Sequence, residues 1–225
     1  NDQDAAVTIT TRSSGFYEGF NPVVALAPKI LVAALILWVG LSPSAAGQVL
    51  LEVQTWSTQN FGGWYVYVTA FYTIVCLALG IWPRTAHVKL GQIDEKPEFS
   101  MFTWLSMMFG AGIGIGMLTY STAEPIFHFA NNPDTIKGLT TGLDEDNVRN
   151  AYKWAMLHYG LTPWACYGVV GISLGYLSYN RGLPLTIRSA LQPLFGRAMS
   201  GGFGHVVDIV AILATIVGLS VTIGY

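Results

Sequence analysis

Charge is scarce in this chain of 225 residues: eleven Lys and Arg with thirteen Asp and Glu make up 11% of it, for a formal net charge of −2. No basic run occurs, which excludes nucleic acid as a natural partner, because phosphate neutralisation needs clustered Lys and Arg. Cysteine is rarer still. Cys76 and Cys166 both lie in apolar segments, where a thiol usually acts as a small buried hydrophobe, so neither a disulfide framework nor a cysteine metal site is expected. No nucleophile stands beside a base and no metal-ligand set is visible, which argues against an enzyme.

What remains is apolar. Hydrophobic residues are 52% of the chain, and the polar groups gather between long apolar runs, the distribution of an all-α, polytopic transmembrane helical bundle. Five helices are expected, at about Val23 to Leu41, Trp64 to Trp82, Phe102 to Thr122, Tyr152 to Tyr179, and Gly204 to the end. The Ser42 to Gly63 loop has no Lys or Arg, whereas Arg84, Lys89 and Lys96 mark the next, and Arg181, Arg188 and Arg197 a later one. The positive-inside rule then places the N-terminus in the cytoplasm of a multi-pass protein, and the acidic Asn131 to Asn150 loop outside. Lys29 is expected to snorkel to the headgroups. Arg188 to Gly196 fits an interfacial helix, and Asp208 suits the capping of the fifth helix. The run ending at Gly224-Tyr225 lacks the polar flank of a finished span, so the chain is expected to be a fragment at both ends.

The feature most in need of explanation is Gly110-Ala111-Gly112-Ile113-Gly114-Ile115-Gly116. Four glycines at alternate positions penalise a regular helix by roughly 4 kcal/mol. Gly110/Gly114 and Gly112/Gly116 are each small-xxx-small pairs and could serve helix packing. Alternatively the backbone unwinds, freeing carbonyls for a cation such as sodium and turning amides toward a substrate carboxylate. Alternate spacing favours the second reading, since one packing face needs only one pair.

One helix later comes His158-Tyr159-Gly160-Leu161-Thr162-Pro163-Trp164-Ala165-Cys166-Tyr167. Pro163 is expected to bend this helix, and Trp164 and Tyr167 share a face with Gly160. Such a face suits a quaternary ammonium group, which has no N–H to donate and is drawn to π clouds; an ordinary interfacial aromatic belt is the alternative. Neither the glycine segment nor this wall holds a carboxylate, which favours a zwitterion over a simple cation. Glu124 and His128 resemble a metal pair only superficially, and Glu124-Pro125 is expected to end its helix at the outer surface.

Gly112-Ile113-Gly114-Ile115-Gly116, then Ala123-Glu124-Pro125, then Pro163-Trp164-Ala165-x-Tyr167, in that order and spacing, resemble the betaine/choline/carnitine transporter family, from Asn21-Pro22 to the fifth helix. The resemblance implies a partial inverted-repeat, LeuT-like transporter fold: a tail over 1–22, two additional N-terminal helices over 23–101, and the first part of a five-helix repeat over 102–225. It implies a plasma-membrane, homotrimeric symporter for a small quaternary ammonium zwitterion, with sodium as coupling ion and no other cofactor. By position, Gly112, Gly114 and Gly116 with Tyr159, Trp164 and Tyr167 are the substrate residues it implies. Gly110, Ile113 and Thr215 are the sodium residues, with Ser220 or Thr222 replacing a hydroxyl that Leu219 lacks. Gly116, where choline-preferring, proton-coupled members tend to carry Asp, points to betaine-like substrates and sodium. Two rivals accompany this reading: a substrate exchanger or proton-coupled choline transporter of the same fold, and a membrane anchor whose glycines only pack helices.

Overall fold

The computed structural model describes residues 7–92, 94–112 and 115–224. Its secondary structure is helical, and three helices among the described residues are long and apolar enough to cross a membrane: Pro22–Leu41, Pro43–Ile81, and α9 over Gly202–Ile223 through its Gly202–Val221 stretch. The first of these, α1 (Pro22–Leu41), starts where its sequence requires. Asn21 Oδ1 accepts from the amides of Val23 at 3.0 Å and Val24 at 3.1 Å, and Pro22 occupies the first helical position, where its missing N–H costs nothing. Lys29 does not extend freely: its ammonium donates to the Tyr17 hydroxyl at 3.3 Å and sits 4.8 Å from that ring's centroid.

The second helix corrects the sequence reading. The region from Ser42 to Gly63 is no loop, because α2 runs unbroken over Pro43–Ile81. At 1.5 Å per residue its 39 residues reach about 58 Å, well beyond a hydrocarbon core of about 30 Å. Its hydroxyls satisfy themselves within the helix: Thr55, Thr69 and Thr73 donate to the carbonyls four residues back, at 2.8, 2.9 and 2.9 Å. The apolar side chains of α1 and α2 are largely exposed, as suits helices whose solvent is lipid.

By packing, the chain divides into two compact units, Asn1–Gln92 with Gly168–Ile216, and Ile93–Tyr167 with Val217–Tyr225. The second unit contains α3 (Met101–Gly112), α4 (Ile115–Ala130), α5 (Pro133–Ile136) and α6 (Val148–Tyr159), together with the start of α7 (Leu161–Gly175). A second correction falls here. Glu124-Pro125 does not end its helix, since α4 continues through Pro125 to Ala130. α4 packs on α6, and Ala151 and Ala155 are buried on α6, small side chains that permit a close approach. Two buried asparagines lock the connection. Asn132 caps α5 and donates to the His128 carbonyl at 2.7 Å and to Asn147 Oδ1 at 2.9 Å, while Asn147 donates to the Phe129 carbonyl at 2.7 Å. The His128 and Phe129 carbonyls in the last turn of α4 are thereby satisfied.

In the first unit, α7 passes into a π-helical turn over Tyr176–Asn180. The amphipathic helix expected near Arg188 is α8 (Ile187–Phe195), followed by a 3₁₀ turn over Gly196–Ser200 and by α9. Asp208 does not cap α9. It lies in the second turn and pairs with Arg188, whose Nε donates to Asp208 Oδ2 at 2.6 Å and whose amide donates to Oδ1 at 3.3 Å.

Candidate functional site

The aromatic wall owes its geometry to Gly160 at the α6–α7 junction and to Pro163 in the first turn of α7. The expected single helix from Tyr152 to Tyr179 is interrupted at Gly160, with φ −78 and ψ −145, and not bent at Pro163. Gly160 fits this position because a Cβ there would stand 2.5 Å from the Met156 carbonyl oxygen. Pro163 falls in the first turn of α7, where an amide would lack an intrahelical partner anyway.

Pro163 has a further consequence. The carbonyl of Tyr159, the last residue of α6, has no helical amide to accept from, because the helix is interrupted at the next residue and Pro163 carries no N–H. The Nε1–H of Trp164 donates to it instead, at 3.2 Å. That bond fixes the indole, and Tyr167 stands beside it with ring centroids 5.9 Å apart and planes inclined at 43°. Both rings stay open: Trp164 is 44% and Tyr167 74% exposed. The structure therefore brings together Tyr159, Trp164 and Tyr167, with Tyr159 contributing its backbone carbonyl as the anchor.

The glycine segment divides differently. Gly110 and Gly112 lie at the end of α3 and Gly116 in the first turn of α4, whereas Ile113 and Gly114 lie outside the described residues. A Cβ on Gly110 would meet no atom within 4 Å, so close packing does not account for that glycine among the described residues. Thr215, on α9, donates its hydroxyl to the Ala211 carbonyl at 2.8 Å. Ser220 and Thr222 follow in the last turns of the same helix.

Sequence reasoning missed one group. Glu124 is 8% exposed, and its Oε1 lies 2.6 Å from Nδ1 of His158 and 3.4 Å from Nε2 of His128. A carboxylate one helical turn from His128 was visible, but His158 is 34 positions away, and only the packing of α4 on α6 brings it close. Beside this cluster, Asp134 Oδ2 accepts from Lys153 and, at 3.0 Å, from Trp154 Nε1. The Lys153 hydrogen bond, and then that of Trp154, hold the Asp134 carboxyl below the ordinary aspartate value.

Comparison with known proteins identifies the family of the chain. The model of the betaine/carnitine/choline family transporter, BCCT, matches residues 23–225. The high-affinity choline transport protein of Escherichia coli K12 is 40% identical over 206 residues, which are 91% of this chain and 29% of that protein. The osmo-dependent choline transporter BetT2 of Acinetobacter baylyi is 36% identical over 204 residues, again 91% of this chain and 29% of the relative. The glycine betaine transporter OpuD of Bacillus subtilis is 36% identical over 194 residues, 86% of this chain and 37% of the relative. The chain thus spans well under half the length of each of these relatives. With a family match over nearly its whole length, this membrane-protein chain belongs to the betaine/carnitine/choline transporter family, a family of transporters and not of enzymes.

Proposed function

We propose that the chain is part of a secondary transporter that takes up a small quaternary ammonium solute by alternating access, with Trp164 and Tyr167 as one wall of the substrate path. The observation that carries this reading is the pair of open rings held by the Trp164 to Tyr159 bond. A trimethylammonium group offers no donor, so charge against a π face is its natural means of recognition. The printed names of the relatives, choline and glycine betaine transporters, point to the same chemical class.

Glycine betaine with sodium is the first reading for substrate and coupling ion, through Gly112, Gly114 and Gly116 on the substrate side and Gly110, Ile113, Thr215 and Ser220 on the ion side. A helix interrupted within the bilayer offers amide ends to a carboxylate and carbonyls to a cation. Arg84, Lys89 and Lys96, which follow the first two long apolar helices, support a cytoplasmic N-terminus; the plasma membrane is the location that goes with this reading. A LeuT-like inverted repeat and a homotrimer complete the proposal.

The test is uptake of labelled glycine betaine and of choline by the full-length protein in proteoliposomes, under imposed sodium or proton gradients. Sodium-driven uptake abolished by Trp164→Ala is expected. Uptake indifferent to sodium overturns the coupling, and normal uptake by Trp164→Ala overturns the wall.

A further inference from the structure

The buried Glu124 side chain of α4 is spent on one place in the neighbouring helix. Its Oε1 lies 2.6 Å from Nδ1 of His158, and the Tyr159 hydroxyl hydrogen-bonds to the same carboxyl group. These are the last two residues of α6. Their rings stand 4.9 Å apart, so the two side chains meet Glu124 together. Along its body α6 packs on α4 and buries only small side chains, Ala151 and Ala155, and that contact needs no polar group. The carboxyl group acts at the end of the helix.

That end is where α6 is weakest by itself. Its last carbonyls have no intrahelical amide, because the helix stops at Gly160, and a terminal turn frays unless something outside the helix holds it. The Tyr159 carbonyl is also the acceptor to which the Trp164 indole is tied. Where the last turn of α6 sits therefore decides where the indole sits, and Tyr167 stands against that indole.

We propose that Glu124 is a positioning residue for the aromatic wall: by gripping His158 and Tyr159 it holds in place the carbonyl that anchors Trp164. This role deepens the reading of Trp164 and Tyr167 as a wall of the substrate path and rests on it for its effect on binding. It does not depend on which of the partners carries the proton, because a carboxamide both donates and accepts and can replace either form of the carboxyl. Gly116 lies in the first turn of the same α4, so the grip also joins the wall to the helix that leaves the glycine segment.

The test reads the Trp164 indole itself in the full-length protein in nanodiscs. Ultraviolet resonance Raman reports whether an indole N–H is hydrogen-bonded, and subtracting the spectrum of each protein's Trp164→Phe counterpart isolates Trp164. Glu124→Ala is expected to lose the hydrogen-bonded signature and Glu124→Gln to keep it; a signature unchanged in Glu124→Ala, or lost equally in both, overturns the role. Equilibrium binding of labelled glycine betaine and labelled choline gives the functional arm. Glu124→Ala is expected to weaken binding about fivefold or more, and less than about twofold when added to Trp164→Ala, because residues joined in one network are not additive. A purely structural loss would be the same in both backgrounds, and an equal loss overturns the role. If Trp164→Ala binds substrate as wild type does, the wall reading falls, and the indole signature alone then decides the positioning. If Glu124→Ala fails to fold, His158→Ala replaces it, since that side chain is 65% exposed: a weakened indole signature supports the role and an unchanged one overturns it.

Discussion

Asp208→Asn is expected to destabilise the first unit more than any other near-isosteric change in it. Arg188 is fully buried and Asp208 is 7% exposed. The guanidinium is held from three directions: Asp208 Oδ2 at 2.6 Å, the Met199 carbonyl at 3.4 Å and His205 Nδ1 at 3.0 Å. Gly204 makes room for this packing, because a Cβ there would collide with the Met199 carbonyl and stand 3.2 Å from Arg188 Nη1. Asparagine keeps the volume and removes the charge, leaving a buried cation without its counter-ion, at a cost of about 3–5 kcal/mol. Removing both charges together, as in Arg188→Met with Asp208→Leu, avoids that penalty and is expected to recover most of the loss, short of about 1 kcal/mol for the bond to Met199. The assay is the fraction of purified full-length protein that stays monodisperse after graded heating. Asp208→Asn within about 0.5 kcal/mol of wild type, the range of ordinary surface changes, or a double variant no better than the single, would refute the reasoning.

Other outcomes follow from the site. Trp164→Phe retains a ring but leaves the Tyr159 carbonyl without its donor, so it is expected to cost about 0.5–1.5 kcal/mol of stability, read by the same heating assay. Trp164→Ala also removes the π face, and a cation–π loss of up to about 2 kcal/mol corresponds to roughly 30-fold in substrate affinity. Gly160→Ala places a methyl group against the Met156 carbonyl and is expected to destabilise by about 1–3 kcal/mol, the usual cost of overpacking, with reduced substrate binding as the junction shifts. The depressed Asp134 carboxyl contributes stability in full above the ordinary aspartate value of 3.8 and loses it as pH falls below that through the folded-state value. Lys153→Met and wild type should therefore differ in thermal stability at neutral pH and converge in strong acid; a gap that persists there would contradict the assignment.

Some of this was legible in the sequence. Asn21-Pro22 announces α1 because an asparagine cap and a first-turn proline are both local devices. The amphipathic α8 and the Trp164/Tyr167 face rest on spacing alone, and periodicity carries that. The first half of α2 was not legible. Gln48, Glu52, Gln54, Gln59 and Asn60 lower its hydropathy, yet helix continuation needs no apolarity, and nothing between Pro43 and Gly62 breaks the chain. Pro125 misled in the same way: it removes one hydrogen bond, and the contact of α4 with α6 sustains the helix past it.

Pairings of distant polar residues were the least legible. His158 reaches Glu124 across 34 positions and Arg188 reaches Asp208 across 20. Read singly, Glu124 looked like a helix end, Arg188 like a marker of the cytoplasmic side, and Asp208 like a cap. Burial gives each a partner that local spacing could not supply. The anchoring of Trp164 lay between these extremes, since Pro163 declares which carbonyl goes without an amide and the indole that donates to it belongs to the next residue.

The account stands most directly on where the onium group sits. A structure of the full-length transporter with a quaternary ammonium substrate bound should place the charged nitrogen within about 6 Å of the Trp164 ring centroid, the range of a cation–π contact. A bound substrate with Trp164 and Tyr167 both clear of it would contradict the account.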